Sequence, residues 1–208
     1  MTKVKICGIT NLEDARLAVD LGADFLGFNF YPKSPRYIAV EAARQVIEKL
    51  GHPVGLFGVF VNESCENIFR TSVEAGIDTV QLHGDESVSY IEDFRSRFGS
   101  NPIKAFRITE EFSVDSIDGY IVDGILLDAC IPNLYGGSGV IADWATARII
   151  ASKHPYVYLA GGLNPENVQE AIRAVRPYAV DVASGVESSP GKKDAKKLEA
   201  FIRRAKSA

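Results

Sequence analysis

Cysteine is scarce in this chain, with three in 208 residues, at Cys7, Cys65 and Cys130. An odd and widely spaced set fits a reducing compartment better than a disulfide framework. Histidine is equally scarce, and two of the three, His52 and His154, each precede a proline in what read as loops. That leaves little from which to build a clustered histidine site, so the expected chemistry uses no metal. Neither sign of charge dominates: 23 Lys and Arg against 27 Asp and Glu give a net charge of −4. Without a basic excess to offset a phosphate backbone, nucleic acid is not an expected partner. No apolar run approaches the roughly 20 residues that span a bilayer. The opening residues enter a strand-like pattern without the roughly 7–15-residue apolar stretch of a secretory leader. A cytoplasmic protein, away from membranes, is the expectation.

What the chain does have is apolar material, 46% of its residues against 24% charged. This suffices for a large core in one domain spanning 1–208. Short apolar runs at 4–7, 25–30, 54–61, 79–83, 103–107, 124–128, 156–160 and 179–183 read as strands. They are rich in Val, Ile, Leu and Phe without strict alternation, as suits parallel strands covered on both faces. Helix punctuation lies between them. Thr10-Asn11-Leu12-Glu13 has capping-box spacing, followed by Ala15, Ala18 and Val19 on one face before Gly22. Ala43, Val46, Ile47 and Leu50 form a second stripe ended by Gly51, and Ile68, Phe69 and Val73 a third ended by Gly76. Asn164-Pro165 places an N-cap before a proline suited to the first helical position. The weakest unit is at 110–117, with material for only a short helix, and 194–206 reads as a final amphipathic helix with a solvated basic face.

The same sequence of helix stop, Asp and buried strand occurs at 21–26 (LGADFL) and 75–80 (AGIDTV). Eight βα units in so short a chain predict a minimal (β/α)8 TIM barrel of eight parallel strands, although about 250 residues is usual and a doubly wound sheet is the rival. In such a barrel, ligands meet the carboxyl ends of the strands, which selects Cys7, Asn29, His83, Arg107, Asp128 and Asp181. Cys7 precedes Gly8, whose missing side chain would leave the sulfur accessible; a small buried hydrophobe is the plainer role for a lone cysteine. Asp128 ends an apolar strand, where a carboxylate is costly to bury unpaired, and a loop cap is its plainer role. The prolines at 32 and 35 restrict the loop that carries Arg36, which could grip a carboxylate with both prongs of its guanidinium. Gly161-Gly162 and Ser184-Gly185 follow the seventh and eighth strands, where backbone N–H groups of barrels commonly meet phosphate.

These segments together carry a resemblance. KICGIT at 5–10, SPRYI at 34–38, VFVN at 59–62, QLHG at 81–84, LLD at 126–128, GGSG at 136–139, LAGGLNPENV at 159–168 and VDVASGVE at 180–187 closely resemble the phosphoribosylanthranilate isomerase family of tryptophan biosynthesis. The match runs in order over nearly the whole chain, and KICGIT, SPRY and the ASGVE–SPGKKD tail are specific to that family. The resemblance implies a cofactor-free Amadori rearrangement of N-(5-phosphoribosyl)anthranilate to 1-(2-carboxyphenylamino)-1-deoxyribulose 5-phosphate. It implies Cys7 as general base, Asp128 as general acid and Arg36 on the anthranilate carboxylate. Gly161, Gly162, Ser184 and Gly185 match the phosphate loops, and His83 and Asp181 go with the substrate-binding residues, His83 in a supporting part. The partner would be one phosphorylated small molecule, bound by a monomer or homodimer.

A thiol with its ordinary pKa near 8.5 is only a few per cent thiolate at pH 7, so Cys7 would need nearby positive charge or helix dipoles. Asp128 would need its pKa raised to hold a proton. Coupled sites tuned in opposite directions are thus expected. Departures from the family pattern are small: Ser138 for the usual threonine, Ala39 where a capping serine or threonine is common, and Ala142 where an aromatic residue is frequent. A metal-dependent sugar-phosphate epimerase is the enzymatic rival, short of ligands with only His83 at a strand end. A sugar-phosphate binding module is the non-catalytic rival, with no need for Cys7 and Asp128.

Overall fold

Along the first strand Val4 and Ile6 alternate with Lys3, Lys5 and Cys7, and a period of two decides what each face meets. In the computed structural model, which describes residues 1–109, 111–128 and 140–208 and gives 140–143 by backbone alone, that strand opens a closed barrel. Its strands are β1 (Lys3–Cys7), β2 (Phe25–Asn29), β3 (Gly55–Phe60), β4 (Thr79–Leu82), β5 (Ile103–Arg107), β6 (Gly124–Asp128), β7 (Val157–Ala160) and β8 (Ala179–Val182). They pair in chain order, all parallel, and β1 closes on β8 with Lys5 beside Asp181. The helices α1 (Leu12–Asp20), α2 (Val40–Leu50), α3 (Cys65–Ala75), α4 (Val88–Phe98), α5 (Val140–Lys153), α6 (Val168–Val175) and α7 (Ala195–Lys206) connect or follow the strands. A short hairpin of β9 (Glu187–Ser189) and β10 (Lys192–Lys193) precedes α7. Among the described residues, no helix is long and apolar enough to cross a membrane.

Two cores result from the alternation. Val4, Ile6, Leu26, Phe28, Leu56, Leu82, Leu127 and Leu159 face outward and are buried against the helices. Inside the barrel a second cluster of Phe57, Ile103, Leu126, Tyr158 and Ala179 fills the lower half, with Phe25 packed against it. Phe57 meets Phe25 and Tyr158 edge-on, with ring centroids 5.3 and 5.7 Å apart. Each such side chain contributes about 1.5–3 kcal/mol by burial, so the barrel bottom is a plug. Above it lies a polar layer: the Lys5 ammonium stands 5.1 Å over the Phe57 ring and bonds Gln81 and Asp181. The ligand-facing end therefore begins at the level of Cys7.

The internal echo has a structural cause. Asp24, just before β2, accepts the Val4 N–H of β1 at 2.8 Å, and Asp78, just before β4, accepts the Leu56 N–H of β3 at 2.9 Å. Each Asp thus satisfies the strand that precedes it in the barrel.

Helix boundaries differ in instructive ways. The N-cap of α1 is Asn11, not Thr10: Asn11 accepts the Asp14 N–H at 2.8 Å and donates back to the Asp14 carboxylate, while Thr10 donates its hydroxyl to the Gly191 carbonyl. The reciprocal pair is thus one residue later, and Asp14 also accepts the Lys193 N–H. On α3 the buried face is Cys65, Ile68, Thr71 and Ala75. Phe69 and Val73 are exposed, and Phe69 stacks on Phe98 of α4 instead of entering the core. Asn164 accepts the N–H groups of Glu166 and Asn167, so the segment after β7 makes a turn and α6 starts only at Val168. The weak fifth unit is a single 3-10 turn at Val114–Ile117. The basic face of α7 is not all solvated: Lys197 and Arg204 donate to the Glu187 and Pro165 carbonyls, and Lys206 pairs with Asp24.

Candidate active site

Strand β1 brings Lys5 and Cys7 to the same interior face, and what surrounds the thiol is specific. Gly27 of β2 pairs with Cys7, and a Cβ there would lie 2.8 Å from the sulfur, so β2 needs glycine opposite the thiol. Gly8 lines the cavity beside Cys7, and a Cβ there would stand 2.6 Å from Cδ of Arg36, so its missing side chain also seats the arginine stem. Burial pushes the Cys7 thiol above its ordinary pKa, and the neighbouring Asp181 carboxylate adds to this. Lys5 and Lys193 pull it down without prevailing. The expected positive charges are present, but the expected depression is reversed. For Lys5, burial alone would lower the pKa, but Asp181 and Cys7 outweigh it and hold the ammonium charged.

Arg36 has a fixed partner. Its Nε and Nη2 donate to the two oxygens of Glu187 at 2.8 and 2.7 Å, an ion pair across the mouth between the loop after β2 and the strand after β8. Burial would raise the Glu187 carboxyl, but Arg36 and Lys193 hold it below its ordinary range. Lys193 Nζ also donates to the Cys7 carbonyl at 2.6 Å, so one buried lysine links the hairpin to β1. The Arg36 loop is ordered by more than its prolines. Asn29 accepts the Tyr31 N–H and donates to Ser34 Oγ, which accepts the Arg36 N–H. Asn29 thus organises the loop.

Across the barrel, Asp128 ends β6, and its Oδ2 is 3.7 Å from Nε2 of His83. Gln81, two residues before His83, joins the imidazole to the polar layer: its NH2 is 2.9 Å from His83 Nδ1, and its carbonyl oxygen accepts from Lys5 at 2.8 Å. Asp181 of β8 accepts from Lys5 at Oδ2, 3.1 Å away, whereas its buried Oδ1 has no hydrogen-bond partner among the described residues.

These groups surround one cavity of about 530 Å³ at the carboxyl ends of the strands. Cys7, Asn29, Arg36, His83, Arg107, Asp128 and Asp181 line it, together with Gly161, Gly162 and Ser184 from the loops that follow β7 and β8. Gly185 does not line it. A Cβ at Gly185 would overlap the Leu163 carbonyl, so this glycine lets the two loops touch. The loop at 136–139 with Ser138, as well as Cys130, lies outside the described residues, as does the side chain of Ala142. Sequence reasoning missed Lys5, Gln81, Glu187 and Lys193 as members of the site. For Lys5 and Gln81 the signal was the period of two: whatever lies two residues before an inward-facing Cys7 or His83 faces inward as well.

A parallel (β/α)8 barrel with charged and polar side chains gathered over an apolar plug defines the class: barrel enzymes that work on a small molecule at the carboxyl face. Residues 4–204 match the family model described as N-(5'phosphoribosyl)anthranilate (PRA) isomerase. An N-(5'-phosphoribosyl)anthranilate isomerase of Geotalea uraniireducens is 50% identical over 206 residues, 99% of each chain. The crystal structure of the Thermotoga maritima phosphoribosyl anthranilate isomerase superposes with a TM-score of 0.90 at 46% identity, covering 100% of both chains. A structure of such an isomerase in complex with reduced 1-(o-carboxyphenylamino)-1-deoxyribulose 5-phosphate gives 0.87 at 43%, again covering 100% of both. This chain belongs to the N-(5'-phosphoribosyl)anthranilate isomerase family, the isomerases of tryptophan biosynthesis.

Proposed function

We propose that the cavity converts N-(5'-phosphoribosyl)anthranilate to 1-(2-carboxyphenylamino)-1-deoxyribulose 5-phosphate, with Asp128 as general acid and Cys7 as general base, in one catalytic domain spanning 1–208. The observation that carries this reading is that a thiol on β1 and a carboxyl on β6 line the same cavity. Asp128 gives its proton to the furanose ring oxygen as the C1–O bond breaks and the anilino nitrogen forms the C=N bond of a Schiff base. The cationic nitrogen acidifies the C2 proton, which the Cys7 thiolate removes; the resulting enol becomes the ketone by gaining a proton at C1 and losing one from the C2 oxygen. Atoms balance without an added reactant.

The supporting contacts fit the substrate's other groups. With Glu187 on the Nε–Nη2 edge of Arg36, the Nη1–Nη2 edge is left as a second fork for the anthranilate carboxylate. Asp181 lines the cavity, and its carboxylate suits a ribose hydroxyl. Gly161, Gly162 and Ser184 present the phosphate wall, and Gly185 keeps its two loops in contact.

A turnover assay on the purified chain, following loss of anthranilate fluorescence, tests the roles. Cys7→Ser and Asp128→Asn should each lower kcat by about 10²-fold or more with little change in affinity for inorganic phosphate as a competing ligand. Full kcat in either variant removes that residue from the chemistry.

A further inference from the structure

The buried pair at the cavity floor, Lys5 and Gln81, has no part in the steps above, yet it fixes a proton. Lys5 is fully enclosed, and its ammonium faces the Gln81 side-chain amide at 2.8 Å. An ammonium only donates, so the atom it meets must be the amide oxygen; turning the amide over would set NH2 against the ammonium. The NH2 group consequently lies 2.9 Å from His83 Nδ1. An amide NH2 also only donates, so a neutral His83 must present its lone pair at Nδ1 and carry its proton on Nε2. Nε2 is the atom directed at Asp128, 3.7 Å from Oδ2.

We propose that Lys5 and Gln81 are positioning residues that lock His83 in the Nε2–H tautomer, making it a donor toward Asp128 and unable to act as a second base at that atom. The inference rests on the reading of Asp128 as the acid and deepens it: the fixed N–H steadies the carboxylate left when the proton moves to the ring oxygen. Around the imidazole stand Asp128 of β6, Arg107 of β5, and Asp85, Glu86 and Lys104 at the adjoining cleft. Of these, Glu86 and Lys104 are paired with each other at 3.0 Å. Asp181 acts from the far side, through Lys5.

Long-range 1H–15N correlation spectra of the full chain test the lock, since only three histidines must be resolved and His83→Asn identifies the signal. The proposal expects Nε2–H for His83 in the unaltered protein; an Nδ1–H tautomer there overturns it. Gln81→Glu keeps the shape but replaces the donor by an acceptor, so the His83 proton should appear on Nδ1. In that variant kcat should fall about tenfold or more with KM nearly unmoved. Gln81→Glu with an unchanged His83 spectrum and unchanged kcat overturns the proposal, and the wild-type spectrum decides alone should the variant not fold. Failure of the acid assignment is separate: Asp128→Asn would keep full activity while the His83 tautomer stayed on Nε2.

Discussion

The Cys7 thiol sits beside two lysines and is nevertheless harder to ionise than an ordinary thiol, because burial and Asp181 outweigh Lys5 and Lys193. The free site therefore holds Cys7 mostly as the thiol at neutral pH, the thiolate that acts as base being the minor form, and its fraction rises with pH until the raised pKa is passed. Alkylation of Cys7 by iodoacetamide should accelerate about tenfold per pH unit from pH 7 to 9 with no plateau, measured by mass spectrometry against Cys7→Ser. A rate already level at pH 7 would mean a depressed pKa. At this scale the sequence exposed the ends of strands and hid what lay beneath them. Cys7, His83 and Asp128 stand out as polar residues closing apolar runs. Lys5 in KVKIC passes for an outward lysine unless Cys7 is first known to face inward. Glu187 and Lys193 gain meaning only when a hairpin folds them against Arg36 and the Cys7 carbonyl, contacts more than 100 residues apart in the chain.

Among the elements, strands were the more legible because a parallel barrel buries both faces and leaves an apolar run as its trace. All eight runs became strands with ends within about one residue. Helix faces were less so, since an apolar residue can satisfy itself against a neighbouring helix, as Phe69 does on Phe98. Caps depend on distant demands, as Asp14 shows by answering both Asn11 and Lys193. The uncapped start of α2 is a clear case in which the sequence sufficed. Ala39 occupies the N-cap position with no side-chain hydrogen bond. Ala39→Ser should stabilise the protein by about 1 kcal/mol, read as a shift in the urea midpoint at constant slope. No shift would show the α2 N–H groups to be satisfied otherwise.

For the whole molecule, one carboxylate ties α7 to the start of the barrel. Burial alone would raise the Asp24 pKa, but hydrogen bonds from Lys206, the Val4 N–H and Lys3 hold it below the ordinary carboxylate value. A carboxyl whose pKa is lower folded than unfolded adds stability that is present above about pH 4 and is lost as pH falls through the folded value. Asp24→Asn should accordingly cost about 1–3 kcal/mol at pH 7 and much less at pH 3 in chemical denaturation. An equal loss at both pH values would assign the effect to shape instead of charge. The barrel itself was foreseeable from its rhythm; the link from α7 to Asp24 was not, because a basic helix face looks solvated until a partner is placed against it.

The division of labour between Asp128 and Cys7 is the centre of the account, and an isotope at the ribose C2 separates the two steps. In single turnovers of C2-deuterated N-(5'-phosphoribosyl)anthranilate, Cys7→Ser should be slowed by the deuterium because proton removal limits it. Asp128→Asn should be insensitive, because ring opening limits it first. The opposite pattern, with deuterium slowing Asp128→Asn and leaving Cys7→Ser unaffected, would contradict the assignment of acid and base.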